Sequence, residues 1–184
     1  MNAKFLLTLL SLFPLITAGP IVSAQETDAP SRSSKGELRS QGSKMEESLS
    51  EVKSFNGRIN KKAKYYIYLQ SASWCGPCQR EMPEIAKLYR KMKRKGVEII
   101  LCSCDKTTED AKLFLKTHKA KFPAITLDDA AKLPGFVMVG SIPAAVIVTA
   151  NGENIVTGHG SIVKDWKSII EEWEKTHATE DDAS

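Results

Sequence analysis

Residues 65–78 read Tyr65-Tyr66-Ile67-Tyr68-Leu69-Gln70-Ser71-Ala72-Ser73-Trp74-Cys75-Gly76-Pro77-Cys78. The first five are an apolar, mostly aromatic run of the kind that forms a strand. Cys75 to Lys95 then carries Met82, Ile85, Tyr89 and Met92 along one helical face, and Gly96 is a stop signal. A strand therefore runs directly into a helix, with two cysteines at the junction. At a helix N-terminus, unpaired N–H groups and the helix dipole stabilise a thiolate, which makes Cys75 the attacking nucleophile. Cys78 lies one turn on, within reach of a mixed disulfide formed at Cys75. Pro77 falls in the first turn, where its missing N–H costs little. The alternative chemistry for such a pair is half of a zinc site, but neither a second CxxC nor a paired histidine cluster follows in the sequence.

Outward from this junction the pattern stays α/β. Val97 to Cys104 is a nearly continuous apolar run, as in a strand buried on both faces of a parallel sheet. Thr107 to His118 opens on Thr-Thr-Glu-Asp, a helix start, with Ala111, Phe114 and Leu115 facing inward. After an irregular stretch, Ala144 to Thr149 is a further buried strand, and Asn151-Gly152 turns the chain into a hairpin with 154–158. Ser161 is expected to cap a last helix that presents Ile162, Trp166, Ile169, Ile170 and Trp173 on one face. The order β-α-β-α-β-β-α predicts a central mixed sheet flanked by helices.

The whole chain has 184 residues, of which 42% are hydrophobic and 26% charged. Those proportions fit one globular domain and exclude both a chain disordered throughout and a polytopic membrane protein. A formal charge of +4 names no partner. Residues 1–24 read as a secretory signal peptide, with Lys4 before an apolar stretch from Phe5 to Ile16 and small residues at Val22-Ser23-Ala24. The other reading of this stretch is a retained membrane anchor, against which Pro14, Gly19 and Pro20 stand as helix breakers. Residues 25–44 are polar and rich in Ser, Gly and mixed charge, the composition of a flexible linker. Met45, Leu49, Val52 and Phe55 then repeat at near-helical spacing and open the folded domain, expected over residues 45–176. Residues 177–184 read as a disordered acidic tail.

These residues resemble the thioredoxin superfamily from about Lys64 to Trp173. Pro83, five residues after Cys78, stands where that family kinks its active-site helix, and Ile142-Pro143 stands where it places a cis-proline facing the dithiol. Within the superfamily, Cys75-x-x-Cys78-x-x-Glu81-x-Pro83 is similar to exported reductases of the TlpA and ResA type. The lead-in Ser71-Ala72-Ser73-Trp74-Cys75 resembles tryparedoxin and nucleoredoxin.

The resemblance implies a thioredoxin fold and an enzyme that exchanges disulfides with client proteins, using the redox-active Cys75–Cys78 disulfide and no other cofactor. Glu81 would sit beneath the dithiol and move the Cys78 proton; otherwise it is a solvated first-turn carboxylate complementing the helix dipole. Trp74, Gly76, Pro77, Ile142 and Pro143 would contact the client, the last two within a loop that begins at Gly140. Leu69 stands where thioredoxins carry a buried aspartate, so Glu81 or water must do that work. The expected partners are clients with disulfides or thiols and a membrane or soluble thiol electron donor, met as a monomer in the periplasm or outside the cell, with no nucleic acid. Carriage of Cu(I) on the same fold is the alternative function.

Cys102 and Cys104 alternate with Ser103, which predicts one shared face of a strand. They are read as two small buried hydrophobes, or else as an auxiliary thiol pair or soft-metal site. The basic run of Lys87, Arg90, Lys91, Lys93, Arg94 and Lys95 reads as a solvated helix end.

Overall fold

In the computed structural model, residues 44–181 are described. The leader read at 1–24 lies outside them, as does the linker at 25–44 except for Lys44, which is helical.

A first helix, α1, covers residues 44–51. It is followed by β1 (Tyr65–Ser71), α2 (Gly76–Arg94), β2 (Val97–Ser103), α3 (Thr108–Thr117), β3 (Ala124–Thr126), the single turn α4 (Leu127–Ala130), β4 (Ala144–Thr149) and β5 (Asn154–His159). A 3-10 turn at Gly160–Asp165 leads into α5 (Trp166–Asp181). The five strands lie in the order β3-β2-β1-β4-β5. β1, β2 and β3 run parallel, while β4 and β5 are antiparallel to their neighbours, so the sheet is mixed as the pattern predicts.

Every residue of β1, β2 and β4 is buried, which is why these strands read as apolar runs without polar alternation. The sheet separates two clusters. Ile67, Leu69, Ile99, Leu101 and Ile147 pack with Met82, Ile85, Tyr89 and Met92 of α2 and with Trp166 and Ile170 of α5. Tyr66, Tyr68, Ile100, Val146 and Val148 pack with Met45 and Leu49 of α1 and with Val52 and Leu133. Each fully buried large side chain contributes about 1.5–3 kcal/mol relative to exposure. Gly96 closes α2 at φ +77°, in the left-handed region, and its carbonyl accepts the Lys64 N–H at 2.7 Å, locking the helix end to the start of β1.

Three expectations are corrected. β3 and α4 fill the stretch read as irregular, because a three-residue strand is too short to show a period. Ser161 does not cap the last helix: His159 caps the 3-10 turn by accepting the Ser161 N–H at Nδ1, and α5 starts at Trp166. Of the tail read as disordered at 177–184, residues 177–181 continue α5, and 182–184 lie outside the described residues. His177 stacks on Trp173 one turn earlier, at 4.2 Å between ring centroids, which gives that stretch an internal contact.

Candidate active site

Cys75 is the N-cap of α2, with extended backbone at φ −87° and ψ 110°. Its Sγ accepts the Cys78 N–H at 3.2 Å, so one of the helix's unpaired donors points at this sulfur. Cys75 and Cys78 are joined as a disulfide, their Cα atoms 5.2 Å apart. Position at a helix N-terminus does not leave the pair open: Cys75 keeps 6% of its surface exposed and Cys78 only 1%. The reason is that α2 turns both sulfurs toward its apolar cluster. Gly76 and Pro77 are exposed, and Trp74 keeps 66% of its surface in solvent beside Cys75.

The Ile142–Pro143 peptide bond is cis. The Ile142 carbonyl oxygen lies 3.6 Å from Cys75 Sγ, which brings the loop opening at Gly140 against the dithiol. Pro143 is buried and Ile142 half-buried. The loop is held from behind by Gln70, fully buried on β1. Its Nε2 donates to the Val137 carbonyl at 2.7 Å and its Oε1 accepts the Val139 N–H at 3.1 Å. On the other side, Asp105 anchors the lead-in to Trp74: its carboxylate accepts the Ser73 N–H at 2.9 Å, the Ser73 hydroxyl at 2.6 Å and the Ser103 hydroxyl at 3.0 Å. Sequence reading misses Gln70 and Asp105. A glutamine inside an otherwise apolar strand is the one local signal that could point to the first.

Glu81 is not a first-turn carboxylate: it is the sixth residue of α2, and its side chain is 19% exposed. Its Oε1 lies 3.7 Å from His159 Nδ1. Its Oε2 is buried, and no donor among the described residues reaches it. Gly160 makes this arrangement possible. A Cβ there would sit 2.7 Å from Pro143 Cβ and 3.1 Å from Glu81 Oε2, so only glycine lets the 3-10 turn close on both. The Gly160 N–H donates to the Pro143 carbonyl at 2.9 Å. The structure thus gathers Cys75, Cys78, Ile142 and Pro143 around one point, with Glu81 on the same helix joined to Pro143 through Gly160. Leu69, where a buried aspartate would stand, lies wholly within the apolar cluster.

Cys102 and Cys104 do not share a face. Cys102 belongs to the α1 cluster, whereas Cys104 packs against the α2 cluster. Strand β2 ends at Ser103, so the alternation that predicts a common side stops one residue too soon. Burial pushes the Cys102 thiol well above its usual range, and burial with the Asp105 charge raises that of Cys104. Both are free thiols, and their placement argues against an auxiliary pair. Among the described residues no group of three or more His, Cys, Asp or Glu could hold a metal ion.

Comparison with known proteins agrees with this geometry. The sequence model of a family described as Thioredoxin-like matches residues 43–154. A thiol-disulfide oxidoreductase ResA of Bacillus cereus is 40% identical over 81 residues, or 44% of this chain and 46% of that protein. The chain thus spans about half the length of the curated relatives it matches. Tryparedoxin II from C. fasciculata superposes with a TM-score of 0.53 at 27% identity, covering 67% of this chain and 89% of that one. A thioredoxin-family thiol:disulfide interchange protein from Chlorobium tepidum TLS shares the fold at a TM-score of 0.51 and 20% identity, over 66% of this chain and 93% of that one. With a strand running into a cysteine-capped helix, a mixed five-stranded sheet and a family match across more than half its length, the chain belongs to the thioredoxin-like family.

Proposed function

We propose that this protein is an exported thiol–disulfide oxidoreductase that reduces disulfides in client proteins. The observation that carries the reading is the Cys78 N–H aimed at Cys75 Sγ at the start of a 19-residue helix, a geometry that favours the Cys75 thiolate. The names of its relatives, thiol-disulfide oxidoreductases and a thiol:disulfide interchange protein, support the same chemistry. In the reduced protein the Cys75 thiolate attacks one sulfur of a client disulfide. A Cys75–client disulfide forms, and the other client sulfur leaves as a thiolate. Cys78 then loses its proton and attacks Cys75 Sγ, which expels the second client thiolate and leaves the Cys75–Cys78 disulfide. Two electrons pass to the client, whose thiolates take protons from water or from Glu81, the acceptor of the Cys78 proton.

Trp74, Gly76, Pro77, Ile142 and Pro143 form the surface a client meets, Trp74 and Pro77 being exposed and Ile142 lying against the attacking sulfur. A membrane or soluble thiol donor would return the two electrons, and the protein would act as a monomer. Export rests on the leader read at residues 1–24; no helix among the described residues is long and apolar enough to cross a membrane.

The test is trapping. Cys78→Ser should accumulate mixed disulfides with clients, and Cys75→Ser should abolish disulfide reduction. Unchanged reduction by Cys75→Ser, or stoichiometric Cu(I) binding without exchange, would overturn the reading. A dithiol potential near about −270 mV marks a reductase, and one near about −120 mV an oxidant. Fractionation of cells making the full chain tests export.

A further inference from the structure

Glu81 and His159 are brought together by two elements far apart in the sequence, and one imidazole nitrogen faces two groups. His159 Nδ1 accepts the Ser161 N–H at 3.2 Å as the cap of the 3-10 turn, and it also lies 3.7 Å from Glu81 Oε1. Its remaining neighbour, Ser161 Oγ, is 3.1 Å away. A ring nitrogen that accepts carries no proton, so in the capping state it offers Glu81 no hydrogen bond. Once the ring is protonated, Nδ1–H is a donor. It can no longer cap the Ser161 N–H; it faces two acceptors, the Ser161 hydroxyl and the Glu81 carboxylate, and of these the carboxylate alone carries the charge that pairs with an imidazolium. The two arrangements are mutually exclusive.

The other charged groups packed here leave Glu81 to His159. Lys164 Nζ, on the 3-10 turn, is bound to Glu84 Oε2 of α2 at 2.5 Å. That hydrogen bond raises the Lys164 ammonium, with Glu81 and Asp165 adding smaller contributions. On the buried side Glu81 Oε2 faces Gly160, which brings no charge, and has no donor among the described residues. A partly exposed histidine, 54% open at its side chain, thus carries solvent pH to a carboxylate that is itself mostly shielded.

We infer that His159 is a positioning residue for Glu81, and that its protonation decides whether Glu81 is held in an ion pair or left free to take the Cys78 proton. This rests on the oxidoreductase reading above. The step it governs is Cys78–SH plus Glu81–COO⁻ giving Cys78–S⁻ plus Glu81–COOH, the proton then passing to the departing client thiolate or to water. An imidazolium paired with the Glu81 carboxylate occupies the group that is to take the Cys78 proton, so attack by Cys78 slows as His159 gains a proton. A neutral ring returns to its cap and releases Glu81.

The experiment uses the full-length reduced protein and an aromatic disulfide whose thiolate absorbs visible light. The first equivalent of thiolate reports attack by Cys75, and the second reports resolution by Cys78. The resolution rate is followed between about pH 5 and 8, where imidazoles titrate. His159→Asn keeps a side chain that caps well but cannot take a proton. At pH 6 it should resolve about two- to fivefold faster than the unaltered protein, the size a partly exposed ion pair can supply, and the difference should vanish by about pH 8. In the Glu81→Gln background the His159 substitution should change nothing. Superposed profiles for the unaltered and His159→Asn proteins, with both equivalents released, would overturn the role of His159 alone, as would a difference that survives in Glu81→Gln. Failure to release any thiolate would overturn the oxidoreductase reading, and this inference with it.

Discussion

Glu98 shows how much a single buried side chain can decide. It sits on β2 with 1% of its surface exposed, accepting the Tyr89 hydroxyl at 2.5 Å on Oε1 and the Asn60 N–H at 3.2 Å on Oε2. Desolvation raises its carboxyl, only partly countered by the Tyr89 and Asn60 hydrogen bonds and by Lys93. The native state then binds a proton more readily than the unfolded chain, so stability falls as pH rises from the ordinary carboxylate range to the raised value, and is level above it. Glu98→Gln should flatten that decline in urea titrations run from about pH 4 to 7. The overall level should also shift, since the amide nitrogen cannot accept from Asn60; the slope is the readout, and an unchanged slope would sink the argument. Sequence reading has no access to Glu98, because one glutamate inside an apolar run does not say what it meets. It does reach Cys75 and Cys78, whose residue type and spacing encode their neighbours, and the resemblance to the thioredoxin superfamily points to Pro143. Cys102 and Cys104 are misplaced by it for a related reason: alternation gives a side only while the strand lasts, and β2 stops at Ser103.

Among the elements, the 3-10 turn at Gly160–Asp165 carries the most information that spacing conceals. It joins β5 to α5 and lies against Pro143 and Glu81, yet nothing in its sequence marks those contacts. Long helices such as α2 and buried strands such as β1 are legible because a period or an apolar run repeats many times. This turn, like the three-residue β3, is too short to repeat anything, and its position follows from the packing of other elements. Gly160→Ala tests the packing argument. The new methyl would lie 2.7 Å from Pro143 Cβ, so the turn or the proline loop must move. Overpacking of this kind costs about 1–3 kcal/mol, and here it should also slow disulfide exchange by displacing Pro143. Parallel thermal melts and reduction assays check both. A variant as stable and as active as the unaltered protein would mean that the turn is not fixed against the site.

Across the whole molecule, both faces of the sheet are packed, but only one of them carries the dithiol. The dithiol sits in the α2 cluster with Met82, Ile85 and Leu69, whereas α1 seals the opposite cluster through Met45 and Leu49. Tyr68, fully buried on that second face, donates its hydroxyl to the Pro134 carbonyl at 3.0 Å and lies 3.5 Å from Met45 Sδ, so α1 and the segment before the proline loop are tied to one strand residue. Removing apolar volume beneath α1 should therefore weaken the fold without altering the environment of the sulfurs. Leu49 is 3% exposed, and Leu49→Ala removes buried methyl groups at a cost of about 2–4 kcal/mol, because the sheet beneath it cannot collapse to fill the space. That loss should lower the thermal midpoint by several degrees in a domain of this size, roughly 2–8 °C per kcal/mol. The equilibrium between dithiol and disulfide in a glutathione buffer should stay where it is. Met82→Ala removes comparable volume from the α2 cluster, one turn from Cys78, and should move both quantities. If Leu49→Ala shifts the redox equilibrium as far as Met82→Ala does, the two faces are coupled through the sheet and the division fails.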